Sequence, residues 1–139
     1  MRDGGFTSEN GTQRWYQNGE LHRDNGPAII YKDGRECWYQ NGELHRYDGP
    51  AQVYMDGGVS WWYNGELHRN DGPAVTYASG SKQWWCNGER HREDGPAMTW
   101  TDGAEHWFIN GELQTEQETL ILKDSLKFDE MIRELCSEE

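Results

Sequence analysis

The chain has 139 residues, 34% of them hydrophobic, and a formal net charge of −12 at pH 7. This length corresponds to one domain, and so low an apolar content excludes a large aliphatic core. The negative charge disfavours nucleic acid and anionic membrane surfaces as partners, and it favours a protein with a basic surface.

An internal repeat organises most of the chain. Asn-Gly recurs at positions 18, 41, 64, 87 and 110, a constant step of 23 residues. The second copy reads CWYQNGELHRYDGPAQVYMDG, and the fifth copy decays after Leu113. A fixed period in this range is typical of proteins that stack similar units. Such a stack presents side chains in columns and seldom forms the single enclosed pocket of an enzyme.

Each copy predicts short antiparallel strands joined by tight turns. Asn-Gly is one turn signal, and Asp-Gly at 33–34, 56–57 and 102–103, or Ser-Gly at 79–80, is the other. Both favour two-residue hairpin turns with positive φ. The proline of each Asp-Gly-Pro-Ala run indicates a bend, bulge or edge. We therefore expect a mainly β fold, an elongated sheet of stacked hairpins over residues 1–123, with a partial first unit at Asn10-Gly11.

A two-residue turn at Asn41-Gly42 predicts the register of its hairpin. It pairs Gln40 with Glu43, Tyr39 with Leu44, Trp38 with His45 and Cys37 with Arg46. Since side chains alternate between faces, one face carries Trp–His pairs and the other carries aromatic–Leu pairs. We expect the second face to be the core, and each His to pack on its Trp and bond the Asp-Gly-Pro-Ala bend.

Residues 124–139, DSLKFDEMIRELCSEE, predict a C-terminal helix. Its apolar side chains share one face, namely Phe128, Met131, Ile132 and Leu135. An atypical terminal element of this kind caps a stack. The alternative is a helix that docks a partner or forms a homodimer.

The run W-Y-x-N-G-E-L, the 23-residue step and the x-D-G turn resemble MORN repeats, in the variant form of bacterial and viral proteins. The resemblance covers roughly residues 5–122. It implies an antiparallel sheet that serves as a protein-binding scaffold. Variant MORN repeats are similar to those of bacterial antitoxin and immunity proteins and of phage-encoded chains.

Histidines recur at 22, 45, 68 and 91, but equivalent positions lie at least two strands apart. That separation is roughly 10 Å, far beyond the roughly 2 Å ligand distances of zinc, so we expect no metal site. A catalytic group is normally unique in a chain, and the Glu and Arg columns are not. With no nucleotide-binding or hydrolase motif present, we expect neither an enzyme nor a cofactor.

The leading hypothesis is a non-enzymatic protein-binding scaffold, a stoichiometric inhibitor of antitoxin, immunity or phage anti-defence type. Its expected contacts are positions where the copies differ, together with exposed acids: Tyr47, Trp100, Asp24, Asn70, Glu93, Arg90, Glu43 and Glu66. One alternative is a small-ligand or nucleotide-binding protein that uses Trp38, His45, Arg46, Trp61, His68 and Arg69. Another is a structural virion or assembly scaffold.

Cellular location is predicted from cysteines and the N-terminal segment. The three cysteines, Cys37, Cys86 and Cys136, are scattered and form no C-x-x-C pair, which favours free thiols in a reducing compartment. No apolar run precedes the first copy and none is long enough to span a membrane. We therefore expect a cytoplasmic location.

Overall fold

Short antiparallel β-strands form the fold in this computed structural model, which describes residues 3–115. The strands that lie before or across residue 66 are β1 Gly4–Thr7, β2 Gln13–Gln17, β3 Glu20–Leu21, β4 Ile29–Ile30, β5 Glu36–Cys37, β6 Tyr39–Gln40, β7 Glu43–Leu44, β8 Gln52–Val53, β9 Val59–Ser60, β10 Trp62–Tyr63 and β11 Glu66–Leu67. Those that follow are β12 Val75–Thr76, β13 Lys82–Gln83, β14 Trp85–Cys86, β15 Glu89–Arg90, β16 Met98–Thr99, β17 Glu105–Ile109 and β18 Glu112–Gln114. The mainly β, antiparallel class predicted from the sequence is confirmed.

The described residues form two compact units, which divide between Glu66 and Leu67. In the first unit the sheet runs in the order β1-β2-β4-β5-β8-β9. In the second it runs β12-β13-β16-β17-β18. Within each unit every neighbouring pair is antiparallel, as expected of a meander.

The Asn-Gly turns close side hairpins such as β6–β7 and β14–β15. Each turn asparagine has positive φ, 50° at Asn41, and its glycine follows with 80° at Gly42. Positive φ at both central residues defines the predicted type I′ turn. The predicted pairs Tyr39–Leu44 and Gln40–Glu43 are present, which confirms the register.

The hairpin ends sooner than predicted. His45 N–H still donates to the Trp38 carbonyl at 2.9 Å, but Cys37 pairs with Ile29 and Gln52 instead of Arg46. Arg46 N–H donates to the carbonyl of Trp62 in the next copy at 3.1 Å. The predicted Cys37–Arg46 pair is therefore wrong, because the two strands separate here and each joins another neighbour.

The Asp-Gly turns differ from the predicted two-residue form. Tyr31 N–H donates to the Arg35 carbonyl at 2.9 Å, so the loop between them has three residues, and only Gly34 has positive φ, 97°. The Asp33 carboxylate accepts from Arg35 N–H at 3.1 Å and stabilises this loop. The same turn occurs at residues 8–12, where Ser8 N–H donates to the Thr12 carbonyl at 2.9 Å. This turn lies where the sequence predicts the partial first unit.

The core consists of small side chains. The alanines of the Asp-Gly-Pro-Ala runs are fully buried, with 0% exposure at Ala28, Ala51, Ala74 and Ala97. The aromatic–Leu face expected to be the core is only half-buried at Leu21, and Leu113 is 62% exposed. That expectation is wrong, because the most buried hydrophobic positions are the alanines that follow the proline bend.

Two cysteines lie in the described part of the chain. Cys37 is a buried free thiol, and burial raises its pKa. Cys86 is buried and disulfide-bonded, so the expectation of free thiols is wrong for this residue. The predicted helix 124–139, with its capping role and the domain limit at 123, lies outside the described residues.

Candidate functional site

The arginine of each His-Arg-x-Asp-Gly-Pro-Ala segment makes a fixed set of contacts. In the second copy, Arg46 Cζ lies 3.8 Å from the centre of a Trp38 ring. Its Nη1 donates to the Pro50 carbonyl at 3.2 Å, and its Nε donates to Asp48 at 3.4 Å. A planar guanidinium can stack on an indole and donate in its own plane at once, which lysine cannot do.

The other copies repeat this arrangement. Arginine lies over tryptophan at 3.8 Å for Arg23–Trp15 and 3.9 Å for Arg92–Trp84. Donation to the proline carbonyl occurs at 3.3 Å for Arg23–Pro27, 3.2 Å for Arg69–Pro73 and 3.1 Å for Arg92–Pro96. The arginine column thus holds the bend of its own copy in place.

The glycine of the same segment leaves space for the arginine. A Cβ atom on Gly49 would lie 2.7 Å from Arg46 Cζ, and one on Gly95 would lie 2.7 Å from Arg92 Cζ. Neither glycine has positive φ. Close approach of the guanidinium, and not backbone conformation, therefore favours glycine at this position.

The histidine of each copy accepts a hydrogen bond from the next Asn-Gly turn. The Nδ1 acceptor lies 2.9–3.0 Å from the turn amide in the pairs His22–Asn41, His45–Asn64, His68–Asn87 and His91–Asn110. The expected bond to the Asp-Gly-Pro-Ala bend is replaced by this contact between copies. An acceptor Nδ1 places the proton of the neutral ring on Nε2.

In the first copy the second ring nitrogen has a carboxylate neighbour, at the position two residues after His. His22 Nε2 lies 2.7 Å from an Asp24 carboxylate oxygen. His91 is buried, and desolvation lowers its pKa to about 4. At neutral pH, His91 therefore keeps the neutral form that can accept from Asn110.

The position after His-Arg holds four predicted contact residues. In the first unit Asp24 and Tyr47 are exposed, and Tyr47 is 70% exposed. In the second unit Asn70 is exposed and Glu93 is half-buried. The column therefore lies at or near the surface in both units while its neighbours, His and Arg, are engaged within the fold.

Asn70 and Glu93 line a groove of about 470 Å³ in the second unit. Segments 69–73 and 91–94 form its walls, and Trp84 and Cys86 contribute as well. Both arginines in this groove contact aspartates, at 3.0 Å for Arg69–Asp71 and 3.0 Å for Arg92–Asp94. The groove therefore carries positive charge that is already neutralised from within.

The four other predicted contacts have distinct surroundings. Arg90 is half-buried, with Cζ 5.2 Å from a Trp85 ring and 5.3 Å from the Phe108 ring. Trp100 is half-buried, and its ring meets His106 edge-on at 4.8 Å. Glu43 and Glu66 are exposed, as expected for acids after the Asn-Gly turns.

The residues of the small-ligand alternative are engaged within the fold. Trp38 stacks on Arg46, and the His45 ring lies 4.5 Å from the Tyr63 ring. His68 accepts from Asn87, Arg69 contacts Asp71, and Trp61 is half-buried. A ligand would have to displace these contacts in order to use the same atoms.

Some exposed residues were not singled out from the sequence. Tyr54 and Met55 are 44% and 69% exposed in the first unit, and Tyr77 is 47% exposed in the second. They begin or occupy the three-residue turns, whose tips face solvent. Variation between copies is a signal for Met55, whose position holds Lys32, Ala78 and Thr101 elsewhere, but not for the two tyrosines, whose column is nearly uniform.

Within residues 3–115, no group of three His, Cys, Asp or Glu side chains could hold a metal ion. No helix in that range is long and apolar enough to cross a membrane. The chain matches no protein-family model, and a comparison with curated proteins finds no match.

Proposed function

We propose that the chain is a non-enzymatic protein-binding scaffold of variant MORN type, and that it inhibits a protein target stoichiometrically. Antitoxins, immunity proteins and phage anti-defence proteins are the classes that this activity fits. Like them, a scaffold of repeated turns would act by covering a target surface and would need no reaction of its own.

The observation that carries the proposal is the contrast around Tyr47. Its neighbours His45 and Arg46 bond the next turn, the local bend and Trp38. Tyr47 itself is 70% exposed and makes no hydrogen bond within residues 3–115. Exposed aromatic side chains supply large contact area and are frequent hot spots of protein interfaces.

Negative charge supports a basic partner. Glu20 and Glu43 follow Asn-Gly turns in the first unit, and both are exposed. The Glu43 carboxylate lies over the next turn, 3.0 Å from where a Cβ of Gly65 would be. Carboxylates repeated at each turn accelerate encounter with a basic surface, an effect that salt weakens.

The test is a pull-down in which the full chain is the bait, and the same chain with Tyr47→Ala is the comparison. A target retained by the wild type, and retained about 30-fold less by Tyr47→Ala, is expected for a hot spot near 2 kcal/mol. Tyr77→Ala, which removes an aromatic side chain that is 47% exposed in the other unit, is the control. The purified target should lose activity at one equivalent of the chain.

The proposal is contradicted if no target is retained saturably. It also fails if the retained protein keeps its activity when saturated with the chain. If Tyr47→Ala and Tyr77→Ala reduced retention of the target equally, with both variants folded, Tyr47 would not have the role assigned to it.

A further inference from the structure

A second cleft, of about 650 Å³, lies in the first unit between the turns at 8–12 and 31–35. Three cationic side chains line it, Arg14, Lys32 and Arg35, and Asp33 is the acid among its lining residues. The cleft therefore has an excess of two positive charges, whereas the whole chain has a net charge of −12. The local charge of the cleft is thus opposite in sign to the net charge of the chain.

The cations of this cleft are held in different ways. Arg35 Nε donates to both carboxylate oxygens of Asp33, at 3.1 and 2.9 Å, and its Cζ lies 4.2 Å from the Tyr31 ring. Hydrogen bonds from the Arg35 backbone N–H and then from its side chain lower the pKa of Asp33, and the side-chain bond to Asp33 raises the pKa of Arg35. Arg14 and Lys32 make no ion pair within residues 3–115. Two cations therefore face the cleft without an internal counter-charge.

The repeat itself shows that these cations are not needed for the fold. At the position of Arg14, later copies have Cys37, Ser60, Gln83 and His106. At the position of Lys32 they have Met55, Ala78 and Thr101, and at that of Arg35 they have Gly58, Ser81 and Ala104. The same turns form in those copies, so the three cations serve something that is specific to the first pair of turns.

We infer that this cleft binds the phosphate groups of a small ligand that carries a diphosphate. Arginine offers a planar fork of donors and lysine a compact charge, and phosphate oxygens suit both. A single carboxylate has too few acceptors to reach cations on a strand and on a separate turn, whereas a diphosphate can bridge them. The volume is within the usual range for small-molecule sites.

Titration calorimetry with inorganic pyrophosphate and with adenosine diphosphate tests this inference on the full chain, in phosphate-free buffer of low ionic strength. Wild type is expected to bind one equivalent, more weakly as salt is added. The double variant Arg14→Gln/Lys32→Thr uses residues that the chain has at the same positions in later copies. It should bind at least about tenfold more weakly, since two charge-assisted contacts are lost.

Lys82→Gln removes an exposed lysine of the second unit and is the matched control, which should bind as wild type does. If the double variant does not fold, the exposed Lys32→Thr alone should still weaken binding. Equal affinity for both probes assigns recognition to the diphosphate, and tighter binding of the nucleotide adds a contact with the base or ribose. The inference would be overturned if neither probe binds, or if the folded variants bind the probes as tightly as wild type does. It would also be overturned if Lys82→Gln weakened binding as much as the double variant does.

Discussion

The groove of the second unit and the cleft of the first both contain arginines, but the partners of these arginines differ. In the groove, Arg69 and Arg92 contact Asp71 and Asp94 and donate to proline carbonyls. In the cleft, Arg14 has no ion pair within the described residues, and Lys32 has none either. The arginines shared by the copies are thus engaged in folding each copy, whereas Arg14 and Lys32, which are particular to one copy, line a cleft.

This contrast distinguishes side chains that recur in every copy from side chains found in one copy. A column that recurs in every copy satisfies a requirement that recurs in every copy, such as closing a bend or holding the next turn. A side chain found in one copy is not needed to fold the others, so we expect it to serve binding. Substitutions and changes of pH test that distinction, and their expected effects on the free energy of unfolding differ in size.

The largest effect is expected from Gly49→Ala. The new methyl group would lie 2.7 Å from Arg46 Cζ and would push the guanidinium off Trp38. We expect a loss of about 2 kcal/mol in urea unfolding, as for other overpacked sites. Gly26→Ala, with 3.1 Å to Arg23 Cζ, should cost less and provides a graded control.

A double-mutant cycle sharpens this prediction. In an Arg46→Gln background the guanidinium is absent, so Gly49→Ala should lose most of its effect. If the effects of the two substitutions on the free energy of unfolding were fully additive, the glycine would serve a purpose other than making room for the arginine.

A smaller effect is expected from pH, through His91. Its pKa is lowered to about 4 by burial, from an ordinary value near 6.5. Because the folded pKa is lower, the stabilising effect is complete above pH 6.5 and is lost as the pH falls from there towards 4. After allowance for partial solvent screening, we expect a loss of about 1–2 kcal/mol across this window.

His91→Gln is the comparison, since a glutamine oxygen can accept from Asn110 and does not titrate. The difference in unfolding free energy between wild type and variant should change over that pH window, which subtracts the titration of carboxylates common to both. A constant difference would contradict the proposed role of the neutral ring.

The smallest effect on stability is expected from Tyr47→Ala. A side chain that is 70% exposed contributes little to the fold, so urea unfolding should change by less than about 0.5 kcal/mol. A clear destabilisation would show that Tyr47 belongs to the folding residues, and its assignment as a partner contact would then lose its basis.

The sequence predicted the turns better than the strands between them. Asn41-Gly42 allows little besides a type I′ turn, so the register of Tyr39 and Leu44 was predictable from local backbone chemistry. The exchange of partners at Cys37 was not, because it depends on where separate copies approach each other. Local turn residues fix the start of a hairpin and do not fix its length.

The core and the candidate sites show the same limit. Large side chains suggested an aromatic–Leu core, but the most buried positions are alanines such as Ala51, which close packing after a proline bend explains. The stacking of Arg46 on Trp38 was not predicted, since the predicted pairing of Arg46 with Cys37 places it on the other face of the hairpin. By contrast, the exposure of Tyr47 followed from its variation between copies.

The most direct test of the distinction between shared and copy-specific residues is urea unfolding of two matched variants of the first unit, Arg46→Gln and Arg14→Gln. Both remove one half-buried arginine. We expect Arg46→Gln to lower the free energy of unfolding by about 2 kcal/mol, because it removes the stack on Trp38 and the bond to Pro50. Arg14→Gln should change it by less than about 0.5 kcal/mol. Equal effects of the two variants, or a larger one for Arg14→Gln, would contradict the distinction.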